Sequence, residues 1–170
     1  AGAFGVPRNK FKQIFIGSDE AVFSPQPQSN EKDFIVHFHG VFNPLQGIEH
    51  IVHAAKILEP KGIKFNILGK GQQTEMIRKL VADIHVNNVN LVGQVPHAEL
   101  KNYLAQASIC LGVFSTIGQA QRAIPIKVFE ALASRLPIIT SQTKAAKELL
   151  TDREHVLFCK NSDEADLAAK

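Results

Sequence analysis

From residue 34 onward, short apolar runs alternate with segments whose apolar positions recur at helical spacing. The runs read as strands near 34–39 (FIVHFH), 63–68 (IKFNIL), 89–93 (VNLVG), 108–113 (SICLGV), 137–141 (PIITS) and 155–159 (HVLFC). The segments between them predict helices near 47–58, 72–84, 97–106, 126–134, 143–150 and from 163 to the end. The order is βα throughout.

Near-continuous apolar strands separated by amphipathic helices are what a parallel sheet covered on both faces requires, because each crossover helix shields one face from water. Right-handed crossovers make the expected architecture a Rossmann-like, doubly wound α/β fold in three α/β/α layers. Ligands in such sheets bind outside the carboxyl ends of the strands, so the strand-to-helix turns there are where chemistry is sought.

The leading residues follow a different pattern. "FKQIFIG" reads as one further candidate strand, and "SDEAVFSPQPQSNEKD" is rich in turn formers and charge and reads as a connection. The chain thus divides into a leading segment, 1–33, and a Rossmann-like domain, 34–170. It opens "AGAFGVP" without a methionine, and the expectation is a piece of a longer protein.

Composition narrows the function classes. With 170 residues, 45% of them hydrophobic and 21% charged, the chain suits a single ordered core. The net charge of +3 arises from 19 basic and 16 acidic residues scattered along the chain, with no Lys/Arg block, so nucleic acid is not an expected partner. Cys110 and Cys159 each lie in an apolar run and read as buried thiols in a reducing, cytoplasmic setting. No stretch approaches the roughly 20 apolar residues of a membrane span, and no signal segment opens the chain, so solubility is expected.

Four strand-to-helix turns carry the candidate chemistry. In "HFHGVFNPLQGIEHI", Gly40 and Gly47 flank a turn whose amides could face an anion at a helix N-terminus, though a tight turn alone accounts for both glycines. "ILGKGQQTEMI" places Gly69 and Gly71 in a second turn without dinucleotide-fingerprint spacing. In "LVGQVPHAEL", an extended segment with Gly93, Val95 and Pro96 can offer backbone groups to a planar base or serve as a plain loop.

The fourth turn, "STIGQAQRAIPIKVFEALA", is the richest. A loop from Ser115 to Gln121 leads to Pro125, which fixes the backbone where a helix begins and presents the amides of Ile126 and Lys127 toward a phosphate. Lys127 adds a mobile charge, and Glu130, one turn in, can accept two hydrogen bonds from a sugar diol. The plainer readings are a helix-dipole acid for Glu130 and a solvated face for Lys127 and Arg122.

His37 and His39 share a strand face, and His50 and His53 lie one helical turn apart, but no HExxH occurs and no metal site is expected. Covalent hydrolase chemistry lacks its GxSxG elbow or a recognisable Cys/His pairing.

Together these residues resemble the nucleotide-sugar-binding domain of GT-B glycosyltransferases of family four, the "glycosyl transferases group 1" family. The resemblance runs from "FGVPRNKFKQIFIGSDEAVFSP" through "ILGKGQQTEMIRKLV", "NLVGQVPHAELKNYLAQASICLGVF" and "IPIKVFEALASRLPIIT" to "KELLTDREHVLFC". It implies that the chain is one half of a GT-B fold, the half that holds the activated sugar nucleotide, with the acceptor-binding N-terminal domain as its absent partner. Carried across, Glu130 looks like the ribose-binding glutamate, Gly93–Pro96 like the base-contacting loop, and the turn before Glu130 like a phosphate site. The implied donor-binding positions are Gly40, Gln46, Gly69, Gly71, Gly93, Val95, Pro96, Gln121 and Ile126, with Arg122, Lys127 and Glu130 as the catalytic set.

The sequence departs from the family pattern at several positions. The position eight before Glu130, where the family often has a glutamate, holds Arg122, and the family's usual Arg and Lys of the first turn correspond to Val41 and Gln46. A similar subset carries "RxIPxKxxE", so Arg122 and Lys127 would restore cations from the opposite wall. Ser134–Arg135 replaces a small–Gly pair; a left-handed Arg135 would cost about 1 kcal/mol relative to glycine, so the helix is expected to end differently.

The resemblance implies a retaining transfer of a sugar from a nucleoside diphosphate donor to an unidentified acceptor, without metal or cofactor, by a fragment inactive without its N-terminal domain. Membrane association of the parent stays open. The alternative is a non-catalytic nucleotide-sugar-binding or scaffolding domain, motivated by the missing acid and cations. An NAD-dependent oxidoreductase follows from the Rossmann pattern alone and is disfavoured by the missing GxGxxG.

Overall fold

The computed structural model describes residues 7–10, 12, 14–27 and 33–170. All six apolar runs form strands: β1 (Ile35–His39), β2 (Lys64–Leu68), β3 (Val89–Gly93), β4 (Ile109–Leu111), β5 (Ile138–Ser141) and β6 (Leu157–Cys159). They pair in parallel in the order β3-β2-β1-β4-β5-β6. The helices are α1 (Ile48–Leu58), α2 (Thr74–Asp83), α3 (Leu100–Leu104), α4 (Ile126–Ala133), α5 (Lys144–Leu149) and α6 (Glu164–Ala169). This is the doubly wound order, and it reverses direction between β1 and β4, where a crevice opens at the carboxyl ends.

Side chains that alternate along each strand feed two apolar layers. Val36, Phe38, Ile67, Leu111 and Ile139 pack with Ile51 of α1, Ile77 of α2 and Leu167 of α6. Leu68, Cys110 and Ile138 pack on the other face with Leu104 of α3, Val128 and Ala131 of α4 and Ala146 of α5, joined by Phe23 of the leading segment. Since Val36 and Phe38 take the first face, His37 and His39 are left pointing at the α4 side. Both cysteines are buried free thiols.

The third helix is shorter than expected. Pro96, extended at φ −57 and ψ 142, starts a 3-10 turn over His97–Glu99, and regular helix begins only at Leu100. In "FKQIFIG", Phe11 and Gln13 lie outside the described residues, and residues 14–17 are irregular with Ile14 and Ile16 exposed. Among the described residues no helix is long and apolar enough to cross a membrane.

Backbone hydrogen bonds lace the first three turns together. Gly40 N–H donates to Leu68 O at 3.0 Å, Phe42 N–H to Lys70 O at 3.1 Å and Gly69 N–H to Gly93 O at 2.7 Å. A Cβ on Gly69 would stand 1.9 Å from Gly40 O, so only glycine permits this approach.

The end of α4 corrects an expectation. Arg135 is left-handed at φ 56, its N–H donates to Leu132 O at 3.0 Å, and Leu136 N–H donates to Ala131 O at 3.0 Å. That is a Schellman ending with arginine where glycine is usual. The helix ends in the ordinary way despite the side chain, because Leu136 is buried and fixes the exit of the chain. Replacing Arg135 by glycine is expected to stabilise the fold by about 1 kcal/mol, read as a rise in melting temperature of roughly 2–4 °C; an unchanged or lower midpoint would contradict it.

Candidate functional site

The carboxyl end of β1 and the first turn of α4 meet at the switch point. Pro125 stands at the N-cap of α4 with φ −69 and ψ 145, and no side chain caps the helix. The first amides of a helix have no intrahelical acceptor, which leaves those of Ile126 and Lys127 without one within the helix. Ile126 itself is half exposed.

Lys127 and Glu130 turn inward from this helix, exposed to only 5% and 3%. Lys127 Nζ donates to Gln46 Oε1 at 2.5 Å and lies 3.8 Å from the centroid of the Phe38 ring. A Cβ on Gly40 would stand 2.7 Å from that nitrogen, so the glycine opens the slot that the ammonium fills. Burial pulls the ammonium pKa down to about 7, against the opposing charge of Glu130.

Glu130 is gripped at both oxygens. His39 Nε2 lies 2.7 Å from Oε2, and His97 Nε2 lies 3.3 Å from Oε1. Burial pushes the carboxyl pKa up, but the hydrogen bonds and charges of His39 and His97 together outweigh it and hold the group below its ordinary range. Behind His39, His37 Nε2 lies 2.9 Å from His39 Nδ1. Burial lowers the pKa of both rings, that of His37 well below its usual value with the charges of His39 and Lys127 adding to the effect.

These facts fix the tautomers. An ionised carboxylate only accepts, so His39 donates from Nε2 and, being neutral, accepts at Nδ1 from the Nε2–H of His37. His37 Nδ1 is then a bare lone pair, and it has no hydrogen-bond partner among the described residues.

Beside this cluster lies a cleft of about 520 Å³ walled by His39, Gly40, Val41, Leu68, Gly69, Lys70, Gly71, Gln94, Val95, His97 and Leu100. The first three turns all contribute to it. Of the positions expected from sequence, Gly40, Gly69, Gly71 and Val95 line this cleft, with Gly93 and Pro96 flanking Val95 in the same loop. Gln46 stands behind, bound to Lys127. The amides of Gly40 and Gly69 are engaged with other backbone, and that of Gly71 donates to Thr74 Oγ1 at 2.8 Å. These glycines offer a ligand bare surface rather than donors.

Gln121 and Arg122 lie apart from that cluster, on a 3-10 turn over Ala120–Arg122. Gln121 Nε2 is buried without a hydrogen-bond partner among the described residues. Arg122 is exposed and lines a different groove, with Ile14, Phe15, Ile16 and Phe129. Among the described residues no group of three or more His, Cys, Asp or Glu side chains could hold a metal ion.

His37, His39 and His97 were not among the expected site residues. The signal for the first two was present in "HFH": polar rings on one face of an otherwise apolar strand need a buried partner.

The family profile described as "Glycosyl transferases group 1" matches residues 19–170. The chain is 29% identical over 128 residues to the amylovoran biosynthesis glycosyltransferase AmsK of Erwinia amylovora, covering 73% of this chain and 31% of that protein. It spans about a third of the length of the curated relatives it matches. Among solved structures, Anabaena HepE in complex with UDP aligns at TM-score 0.79 and 16% identity, over 97% of this chain and 48% of that one. The C-terminal domain of the glycosyl transferase group 1 protein LpcC from Francisella tularensis aligns at TM-score 0.70 and 16% identity, over 90% and 85%.

Lys127 gives a test of the site's electrostatics. Its folded pKa of about 7 lies below the ordinary 10.5, so between those values the unfolded state binds more protons and stability must rise with pH. Relative to Lys127→Met, the wild-type chain is expected to gain up to about 1.4 kcal/mol per pH unit between pH 7.5 and 9 in urea unfolding. Equal slopes for the two proteins would show that Lys127 titrates normally.

Proposed function

Because this chain belongs to the glycosyl transferases group 1 family, we propose that it is the donor-binding half of a glycosyltransferase. The parent would transfer a sugar, with retention, from a nucleoside diphosphate sugar to an acceptor held by a separate N-terminal domain. One observation carries the reading. An ionised carboxylate, Glu130, and a buried cation, Lys127, converge with the open first turn of α4 at the switch point beside the cleft.

In this reading Glu130 accepts from the ribose diol and the Gly93–Pro96 loop meets the base. The diphosphate lies across the amides of Ile126 and Lys127. As the bond from the sugar's anomeric carbon to the phosphate oxygen breaks, the electron pair stays on that oxygen. The Lys127 ammonium, exchanging Gln46 for phosphate, stabilises the charge together with the helix amides. An acceptor hydroxyl forms the new bond to the anomeric carbon as its proton passes to the departing phosphate oxygen. With a cation supplied by the protein, the reaction needs no metal.

Residues 34–170 would be the donor domain, and the leading segment its connection to the other half. The length of the curated relatives supports a missing domain, and two buried free thiols support a cytoplasmic location. A second reading, a domain that binds nucleotide sugar without catalysing transfer, is favoured by one observation. Val41 and Gln46 bring no charge to the cleft, and Arg122 faces a different groove. Turnover of a donor by the full-length parent would exclude it.

Binding of uridine, guanosine and adenosine diphosphates by calorimetry tests the donor site. At least one is expected to bind at submillimolar concentration, and Glu130→Ala to weaken it by roughly tenfold or more, the scale of hydrogen bonds to a charged group. Absence of binding by all three at millimolar concentration, or a silent Glu130→Ala, would remove the assignment.

A further inference from the structure

The hydrogen bonds around Glu130 run in one direction. His37, 1% exposed on a strand paired with both β2 and β4, donates to His39, and His39 donates to Glu130 Oε2. Oε1 is met differently. His97 reaches it over a longer 3.3 Å from a side chain that is 58% exposed, in the wall of the cleft. That ring leans edge-on against Phe23 at 5.1 Å and stands on the 3-10 turn after β3, outside the sheet. One oxygen is therefore held from behind by a short bond on a rigid strand. The other is capped from the front by a long bond to an exposed side chain.

We propose that His39 is a positioning residue for Glu130: locked in its donating tautomer by His37, it fixes Oε2 so that Oε1 is presented to a ribose hydroxyl, which takes the place of His97. This rests on the reading that Glu130 receives a ribose diol. The physical reason is preorganisation. A carboxylate already held in one orientation loses no rotamer freedom when the ligand arrives, and groups set in advance by a second layer of hydrogen bonds bind more tightly than mobile ones. His37 adds the tautomer control, because without a donor at its Nδ1 the imidazole of His39 could place its proton on either nitrogen.

A merely structural His39 would weaken every nucleotide alike, whereas a positioning residue matters only to ligands that carry ribose hydroxyls. The experiment uses the 170-residue chain, whichever of uridine, guanosine and adenosine diphosphate binds most tightly, and its 2′,3′-dideoxy counterpart. In His39→Asn the shorter amide keeps an acceptor for His37 near the position of Nδ1 but falls short of Glu130. In His39→Gln the amide reaches the position of Nε2 and restores the donor. The wild type is expected to prefer the ribonucleotide by roughly 10- to 100-fold and His39→Asn by less than about threefold, with His39→Gln recovering most of the preference.

The preference is a ratio measured on one sample, so a lower folded fraction cancels from it. Full preference in His39→Asn, or equal weakening of both ligands, overturns the proposal. A wild type that binds both ligands equally overturns the ribose reading of Glu130 and the proposal with it. A wild type that binds no nucleotide removes the donor site on which both rest.

Discussion

A carboxylate placed under the end of a central strand, with 3% of its surface left to water, must be met by donors or lose its charge. Much of the local architecture follows from that demand on Glu130. It accounts for two histidines inside an apolar strand, where each ring would be a liability alone. It brings His97 across from the turn after β3, so that two separate segments close on one residue of α4. It also sets the charge balance that Lys127 feels from the same helix, one turn earlier.

The laced turns give this cluster its rigidity. Gly69 allows the turn after β2 to lie against the turn after β1, and Gly40 leaves room for the Lys127 ammonium. Glycines read in the sequence as donor-binding candidates thus act here through what they omit. Each missing Cβ lets backbone or a charged group approach to a distance that a side chain would forbid. The cleft that results is walled by the ends of β1 and β2 and the loop after β3, with Lys70 and His97 on its wall and the buried Lys127 and Glu130 recessed at the base of α4.

The sheet was legible in the sequence because strands buried on both faces must be almost wholly apolar, and the intervening helices carry a distinct period. All six runs named from that pattern are strands. Departures occur where local patterns compete. Pro96 turned the start of the third helix into a 3-10 turn, and Arg135 took a left-handed conformation that propensity alone disfavours, because the buried Leu136 after it fixes the path of the chain. At the site, Lys127 and Glu130 could be named from helix spacing, but not the direction of Arg122, which depends on how the loop from Ser115 to Gln121 returns to the sheet. The histidine chain was visible as "HFH" yet unreadable as a relay, since its partner lies 91 positions away in sequence.

The position of the cation has a consequence of its own. A lysine or arginine in the first turn would reach the cleft from a loop and could adjust independently of α4. Here the ammonium comes from α4 itself, one turn before Glu130, and its nitrogen rests on Gln46 and the face of Phe38. In the proposed reading, the group that neutralises the diphosphate and the group that holds the ribose are therefore fixed on one rigid helix at a set separation. Adjustment must then come from the opposite wall, where residues 94–96 are irregular and His97 stands on a short 3-10 turn outside the sheet. Such an arrangement favours ligands whose phosphate-to-ribose distance matches the pitch of α4, and leaves the choice of base to the loop.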